Sequence, residues 1–133
     1  MSSGALYIDT SALGRVLLGE PDSRAVLDAL AGYDQHVSSR ILGLELRRLA
    51  LRHDVLADAE QLLSAVALIP LTDSLMAAAE AVAPPSVAAL DAIHLATALD
   101  LSQSIQLAAI LTYDQRLADG AAHHGIQALA PAG

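Results

Sequence analysis

The sequence predicts a three-layer α/β/α sandwich, in which helices cover both faces of a mainly parallel sheet of four to five strands. Short apolar runs alternate with helical segments along the 133-residue chain, and this alternation is typical of a parallel sheet. The length suits one ordinary domain, which we place at residues 1–133. Capping residues, glycines and prolines separate the segments where helices begin and end.

The predicted strands are short apolar runs bounded by turn or capping residues. The first, ALYI, lies between Gly4 and Asp9, and the second is the triplet His36-Val37-Ser38. Runs of this length that are rich in strand formers are typical of buried strands. In chain order we predict strands at 5–8, 36–38, 67–71, 107–112 and 126–130.

The helices are predicted from caps and stop signals. Thr10 or Ser11 caps the first helix, Gly19 ends it, Pro21 opens the second and Gly32 closes it. The next helices are predicted at about 40–53 after a Ser38 or Ser39 cap, from Asp54 to about Ala67, and at 73–82 after a Thr72 or Asp73 cap. After the Pro84-Pro85 break, helices are predicted from Ser86 to about Ser102 and from Asp114 or Asp119 to Gly125.

Four acidic residues lie inside apolar segments, where a charged side chain is costly. They are Asp9, Glu45, Asp91 and Asp114. A carboxylate on a core face must be paired, protonated or bound to a cation. All seven basic residues are arginines, and none lies within one helical turn of Asp9 or Asp91. This pattern indicates a shared metal ion and metal-assisted chemistry on phosphates.

Strand order also predicts where two of these acids meet. Ligands of a parallel sheet bind in the crevice beyond the carboxyl ends of its strands. Asp9 directly follows the first predicted strand, and Asp114 follows the fourth. We therefore expect both carboxylates to face one crevice.

Composition excludes several classes of protein. The absence of lysine excludes P-loops and lysine Schiff bases, and the absence of cysteine excludes disulfides, thiolate zinc sites and cysteine nucleophiles. The net charge of −8 normally argues against nucleic-acid binding, although bound metal would offset half of the excess. We expect no signal peptide and no membrane span, and the lack of cysteine suits the cytoplasm.

Each candidate residue also has an ordinary structural interpretation. Asp9 and Asp114 are suitable helix caps, and Glu45 can pair with Arg48 or Arg52 one turn or more along its helix. A helix dipole would favour Asp91 if the residue lay in the first turn of its helix. A helix that starts near Ser86 argues against this interpretation, because Asp91 would then lie beyond the first turn.

The histidines and arginines leave alternatives open. His94, one turn after Asp91, is interpreted as a core residue or as support for metal ligands, and His123-His124 as a surface pair. Four arginines on one helix form either a solvated face or a flank that contacts phosphates. They are Arg40, Arg47, Arg48 and Arg52. Arg116, close to Asp114, has the same two interpretations.

Four motifs resemble a known family when they are read in order. DTSAL follows the first strand, ELRR lies in a helix opened by serine, and LDAIHLATAL and LTYDQRLADGA follow. Together they resemble the PIN domain, and more specifically the VapC-type toxins of bacterial toxin–antitoxin pairs. The resemblance spans residues 6–126 and implies an α/β/α fold, Mg²⁺ or Mn²⁺ as cofactor, and endonucleolytic RNA cleavage to 5′-phosphate and 3′-hydroxyl ends.

The resemblance assigns roles residue by residue. The catalytic, metal-binding acids fall on Asp9, Glu45, Asp91 and Asp114. The accompanying hydroxyls fall on Thr10, Ser11 and Thr112, which we expect to orient carboxylates or water. We expect Arg40, Arg47 and Arg116 to contact RNA phosphates. The implied partners are an RNA substrate, a VapB-type antitoxin and a second copy of the chain.

Three other functions are compatible with parts of this pattern. An aspartyl-phosphate phosphatase or receiver domain needs a lysine facing the phosphoryl group, and this chain has none. A non-catalytic binding module has no reason to retain four desolvated acids. Metal-dependent DNA cleavage uses the same chemistry, and only the resemblance favours RNA over DNA.

Overall fold

The computed structural model describes residues 2–132, which form five strands and seven helices. The strands are β1 Ser2–Ile8, β2 Tyr33–Ser39, β3 Ala67–Ile69, β4 Leu107–Leu111 and β5 Ala128–Leu129. The helices are α1 Thr10–Leu17, α2 Ser23–Ala31, α3 Arg40–His53, α4 Leu56–Leu63, α5 Asp73–Ala81, α6 Ala89–Ser102 and α7 Gln115–His123. The strand order is β3-β2-β1-β4-β5, and every pairing among these strands is parallel. The predicted α/β/α class is confirmed.

The central strand β1 anchors both helical layers. Leu6 and Ile8 pack into the core formed with α1 to α4, whereas Ala5 and Tyr7 pack into the core formed with α6 and α7. Successive residues of a strand point to opposite faces, so four consecutive residues serve the two cores alternately. All four are fully buried. Helix α5 packs on α6 and completes the second layer.

Three predicted helix caps are confirmed. Ser39 Oγ accepts the Ile41 N–H at 3.1 Å, and Thr72 Oγ1 accepts the Leu75 N–H at 3.1 Å. Asp114 Oδ1 accepts the N–H groups of the second and third residues of α7, at 2.9 and 3.1 Å. Each cap satisfies donors that a helix start leaves unpaired.

The start of α1 differs from the prediction. Asp9, rather than Thr10 or Ser11, occupies the N-cap position, and its side chain makes no capping hydrogen bond. The two hydroxyls instead bind the carboxylates of Glu45 and Asp9. A polar run at a strand-to-helix junction therefore serves the site rather than the helix.

Two further helix starts were predicted wrongly. Pro21 lies in a turn, and α2 begins at Ser23. Asp54 does not start a helix but ends α3 in the left-handed conformation, with φ of 55°. Aspartate tolerates that conformation better than most residues. Helix α4 begins only at Leu56 and ends at Leu63, before the predicted end at Ala67.

Helix α6 begins at Ala89 rather than at Ser86. The Pro84-Pro85 pair disfavours helical geometry at the preceding residues, and the segment forms a turn in which the Val87 N–H donates to the Pro84 carbonyl at 3.2 Å. Asp91 consequently lies in the first turn of α6, where the helix dipole favours a carboxylate. The interpretation of Asp91 as a residue favoured by the helix dipole is therefore compatible with the structure, although the predicted helix start at Ser86 argued against it.

The strand boundaries differ by a few residues from those predicted. β1 and β2 are longer, because parallel pairing extends them over 2–8 and 33–39. The other three strands end earlier than predicted, and polar residues of the site follow β4 directly. Within residues 2–132, the structure contains no helix long and apolar enough to cross a membrane.

Candidate active site

The candidate site lies beyond the carboxyl ends of β1, β2 and β4. The chain passes from β1 outward to β2 and β3, then returns to place β4 on the other side of β1. Such a reversal opens a crevice between β1 and β4, where ligands of parallel sheets bind. Asp9 follows β1 and Thr112 follows β4, and the Asp9 N–H donates to the Leu111 carbonyl at 3.0 Å. The sheet thus fixes the backbone at the centre of the site.

Asp9 is the most enclosed of the four acids, with a relative exposure of 4%. Its Oδ2 accepts the hydroxyl of Ser11 at 2.6 Å and the hydroxyl of Thr112 at 2.8 Å. Its Oδ1 lies 3.4 Å from His94 Nε2. One oxygen is therefore held by two hydroxyls, and the other faces the crevice beside the imidazole.

Glu45 reaches the site from α3. Its Oε1 accepts the Thr10 hydroxyl at 2.7 Å and lies 3.0 Å from His94 Nε2. Burial opposes ionisation, but the hydrogen bonds of His94 and Thr10 outweigh it, so the pKa of Glu45 falls below its usual value. The alternative pairing of Glu45 with Arg48 or Arg52 is replaced by these two polar contacts.

Asp91 and Asp114 form the second carboxylate pair. Burial, followed by the adjacent Asp114 carboxylate, raises the pKa of Asp91 to about 7, and the charge of Asp9 adds to the effect. His94 acts in the opposite direction but does not cancel the shift. Asp91 thus interacts with the charges of both Asp114 and Asp9, and His94 compensates them only in part.

The three predicted hydroxyl residues all contact the acids or their supports. Thr10 binds Glu45, while Ser11 and Thr112 bind Asp9. Thr112 Oγ1 also accepts the Asp114 N–H at 3.0 Å, and Ser11 Oγ accepts the Tyr113 N–H at 2.9 Å. These hydroxyls connect the end of β1 to the turn after β4, so they fix the first and fourth acids relative to each other.

His94 lies at the centre of the site, and it is buried with 1% exposure. Its Nε2 faces Glu45 and Asp9, and its Nδ1 lies 2.8 Å from the Tyr7 hydroxyl. The sequence interpretation of His94 as support for the acids agrees with this position. Tyr7 was not predicted. The alternation of side chains along a strand could have identified Tyr7. It lies two residues before Asp9 in β1 and its extension, so the two side chains are on the same face of the sheet.

The predicted phosphate-binding arginines lie in different surroundings. Arg47 is paired with Glu60 of α4, which raises the pKa of Arg47 and lowers that of Glu60. Arg40 is exposed at the start of α3, and Arg116 is exposed in the first turn of α7 beside Asp114. Arg47 and Arg116 each follow a predicted acid by two positions, but the Arg47 guanidinium is paired with Glu60.

The donor set suits a hard divalent cation. Carboxylate oxygens, supported by hydroxyls, are the ligands that Mg²⁺ and Mn²⁺ prefer. Within residues 2–132, no three His, Asp or Glu side chains are already arranged as a closed metal site. The acids instead form two groups, Asp9 with Glu45 and Asp91 with Asp114. Mg²⁺ commonly uses one or two carboxylates and keeps several waters, so this open arrangement fits it.

Replacing Thr112 with Val should weaken Mn²⁺ binding by about 10- to 100-fold, because Asp9 loses a hydroxyl donor and the Asp114 N–H loses its acceptor. Thr112→Ser, which retains the hydroxyl, should stay close to wild type. Titration of Mn²⁺ into each protein, followed by calorimetry, measures the difference. Equal affinities in the two variants would show that the hydroxyl does not support the carboxylates.

Comparisons with known proteins agree on one family. The family described as PIN domain matches residues 6–122. Ribonuclease VapC47 of Mycobacterium tuberculosis (strain CDC 1551 / Oshkosh) is 35% identical, over 95% of this chain and 96% of the relative. Ribonuclease VapC46 of Mycobacterium tuberculosis (strain ATCC 25618 / H37Rv) is 32% identical, over 96% of this chain and 98% of the relative.

A solved structure shares the fold. A toxin-antitoxin complex from Klebsiella pneumoniae superimposes with a TM-score of 0.73 at 23% identity, covering 96% of this chain and 98% of that chain. At this level of identity the likeness supports the architecture alone. The family match extends from β1 into α7 and includes all four acids. Together with the two VapC relatives, it shows that the chain belongs to the PIN domain family, among its VapC-type members.

Proposed function

We propose that this chain is a metal-dependent endoribonuclease that acts as the toxin of a toxin–antitoxin pair and cuts RNA to 5′-phosphate and 3′-hydroxyl ends. One observation carries the proposal: the carboxylates of Asp9, Asp91 and Asp114 interact at the carboxyl end of the sheet, where, within residues 2–132, His94 is the one nearby group that lowers the pKa of Asp91. The raised pKa of Asp91, caused by burial and by Asp114, is the electrostatic sign of this crowding of carboxylates. The names of the VapC ribonuclease relatives support RNA as the substrate.

A bound Mg²⁺ or Mn²⁺ would supply positive charge to a phosphodiester oxygen and acidify an attacking water. In this proposal Asp9 and Glu45 would hold the cation from the side of β1 and α3, and Asp91 and Asp114 from the side of α6 and α7. Ser11, Thr10 and Thr112 keep the carboxylates oriented through the hydrogen bonds described above. Partial burial of the crevice strengthens each of these electrostatic interactions.

RNA contact is assigned to the exposed arginines. Arg116 adjoins Asp114 and can reach a phosphate next to the cleaved bond, and Arg40 lies near the end of β2. Arg47 contributes less in this scheme, because its guanidinium is already paired with Glu60. Such contacts position the substrate and partly offset the −8 charge of the chain.

The proposed partners are a VapB-type antitoxin and a second copy of the chain. Exposed apolar side chains suit both contacts, since Leu44 and Leu51 on α3 are 55% and 53% exposed, and Leu90 on α6 is 49% exposed. Action on cellular RNA would place the protein in the cytoplasm. Light scattering of the purified chain, alone and with a candidate VapB-type antitoxin, tests both assemblies.

The purified protein should cut single-stranded RNA in the presence of Mn²⁺, and excess chelator should abolish cleavage. A DNA strand of matched sequence serves as the competitor, because the acids alone do not distinguish the two sugars. The ends of the products should carry a 5′-phosphate and a 3′-hydroxyl. Cleavage of DNA in preference to RNA, cleavage that persists in chelator, or bound Mn²⁺ with no cleavage of any strand would each contradict the proposal.

A further inference from the structure

His94 and Tyr7 form a connected pair behind the acids. The Ser39 N–H donates to the Tyr7 hydroxyl oxygen at 3.1 Å, and that hydroxyl lies 2.8 Å from His94 Nδ1. The two rings meet edge to face, with centroids 5.7 Å apart and planes at 83°. Both side chains are buried, at 0% and 1% exposure. Main chain at the end of β2 is thus linked through Tyr7 to the imidazole.

The direction of these hydrogen bonds can be assigned. A tyrosine hydroxyl carries its proton at neutral pH, so it has one hydrogen to donate. The oxygen accepts from the Ser39 N–H, and among residues 2–132 its other hydrogen-bond partner is His94 Nδ1. The Tyr7 proton therefore points at His94 Nδ1, and the imidazole proton is on Nε2.

The opposite side of the ring requires the same arrangement. Nε2 faces Glu45 Oε1 at 3.0 Å and Asp9 Oδ1 at 3.4 Å. A bare nitrogen lone pair would repel two carboxylate oxygens, whereas an N–H attracts both. The Nε2–H thus donates to Glu45 of α3 and lies in electrostatic contact with Asp9, 36 positions earlier in the sequence.

We propose that His94, oriented by Tyr7, is a positioning residue that holds Asp9 and Glu45 together for a divalent cation: its Nε2–H donates to Glu45 and attracts the Asp9 carboxylate 3.4 Å away. The inference rests on the proposed function, since it takes Asp9 and Glu45 as cation ligands. It adds that the His94 imidazole sets the distance between these two carboxylates. Within residues 2–132, the hydrogen bonds to Glu45 all go to Oε1, so Oε2 stays available for a cation. Partners that orient ligands in this way are commonly worth 10- to 100-fold in metal affinity, as a rough range.

Two amides at position 94 separate the positioning role from ring packing. His94→Gln places an amide N–H near the position of Nε2, within reach of the carboxylates. His94→Asn is one carbon shorter and reaches only the Tyr7 side of the ring position. Both lose the edge-to-face contact with Tyr7, so their melting temperatures should fall by similar amounts. A purely structural role for His94 would therefore affect both variants alike.

The first measurement is Mn²⁺ affinity without RNA, read from the paramagnetic resonance signal of free Mn²⁺. His94→Asn should weaken binding by about 10- to 100-fold, and His94→Gln should stay within about 5-fold of wild type. Tyr7→Phe should cause a smaller loss and should add little in the His94→Asn background, because the two residues act as one unit. Wild-type affinity in His94→Asn, or equal losses in Asn and Gln, would overturn the inference.

The second measurement is the imidazole tautomer in the metal-free protein. A long-range ¹H–¹⁵N correlation spectrum, with His94→Gln identifying the signals, should show a proton on Nε2, and Tyr7→Phe should shift Nδ1. A proton on Nδ1 with a bare Nε2 would overturn the inference. The outcomes also separate the two proposals. If the His94 variants change Mn²⁺ affinity but the wild type cuts no RNA, the ribonuclease proposal is rejected and the positioning role of His94 stands. If the wild type cuts RNA but the His94 variants bind Mn²⁺ normally, only the positioning role is rejected.

Discussion

Asp9→Asn should lower the rate of RNA cleavage by at least about 1000-fold, because it removes the charge of the acid at the centre of the site. A loss of several kcal/mol of metal-assisted stabilisation of the transition state corresponds to that factor. The substitution is nearly isosteric. The remaining oxygen can still accept the hydroxyls of Ser11 and Thr112, which lie 2.6 and 2.8 Å from one carboxylate oxygen in the wild type. The folded structure should therefore survive, and the loss should reflect chemistry rather than unfolding.

The measurement is made in cells. Wild type and Asp9→Asn are induced in a bacterial host, and all RNA 5′-monophosphate ends are sequenced. New ends at one or a few sites should appear with wild type and be absent from the variant. Asp119→Asn is the matched control, since it removes one carboxylate from the exposed side of α7, where its hydrogen bond within residues 2–132 comes from Gln115. Identical new ends from wild type and Asp9→Asn would refute a catalytic role for Asp9.

The fold was predictable because local signals and the global architecture agree. Apolar runs, caps at Ser39, Thr72 and Asp114, and the break at Pro84-Pro85 all mark the alternation of strands and helices. Errors fell where one residue type serves two purposes. Asp54 resembles a helix start but ends α3 in a left-handed conformation. Thr10 and Ser11 resemble caps but bind carboxylates.

The site was predictable as a set of acids but not as a geometry. The sequence predicted that Asp9 and Asp114 face one crevice, and the structure adds that they follow neighbouring strands, β1 and β4. The separation into two carboxylate pairs was not foreseeable, because it depends on how α3 and α6 are inclined toward that edge. A buried histidine between two acids is equally hidden in sequence, since LDAIHLATAL is also the pattern of an ordinary buried helix.

Asp91→Asn should stabilise the metal-free protein while abolishing most of its response to Mn²⁺. Burial and the Asp114 carboxylate raise the pKa of Asp91 to about 7, from an ordinary value of 3.8. Between these two values the folded protein binds more protons than the unfolded chain, so the free energy of unfolding decreases as the pH rises. Above about pH 7 the full penalty applies, and below about pH 4 it disappears. Asparagine removes the penalty because it carries no charge.

At about pH 8, Asp91→Asn should raise the free energy of unfolding by about 1–2 kcal/mol relative to wild type. A fully buried carboxylate would cost several kcal/mol, but Asp91 is partly exposed and solvent screens its charge. In melting temperature the gain is about 3–8 °C. The variant and wild type should converge toward about pH 4, where the wild-type carboxyl is protonated. Mn²⁺ should raise the melting temperature of wild type much more than that of Asp91→Asn, since binding to the folded state alone is what stabilises it.

The control for Asp91→Asn is Asp100→Asn, which removes an equal charge from the exposed far end of the same helix. It should change stability by no more than about 0.5 kcal/mol and should leave the Mn²⁺ response intact.

Thermal unfolding of the three proteins in chelator and in Mn²⁺, across the same pH range, distinguishes the possibilities. If Asp91→Asn were destabilising at every pH, Asp91 would act as a dipole-favoured residue of the first turn of α6. If it were stabilising but still responsive to Mn²⁺, the cation would be held by Asp9 and Glu45 alone. A pH-dependent gain with a lost response is the result that a cation shared by both carboxylate pairs requires.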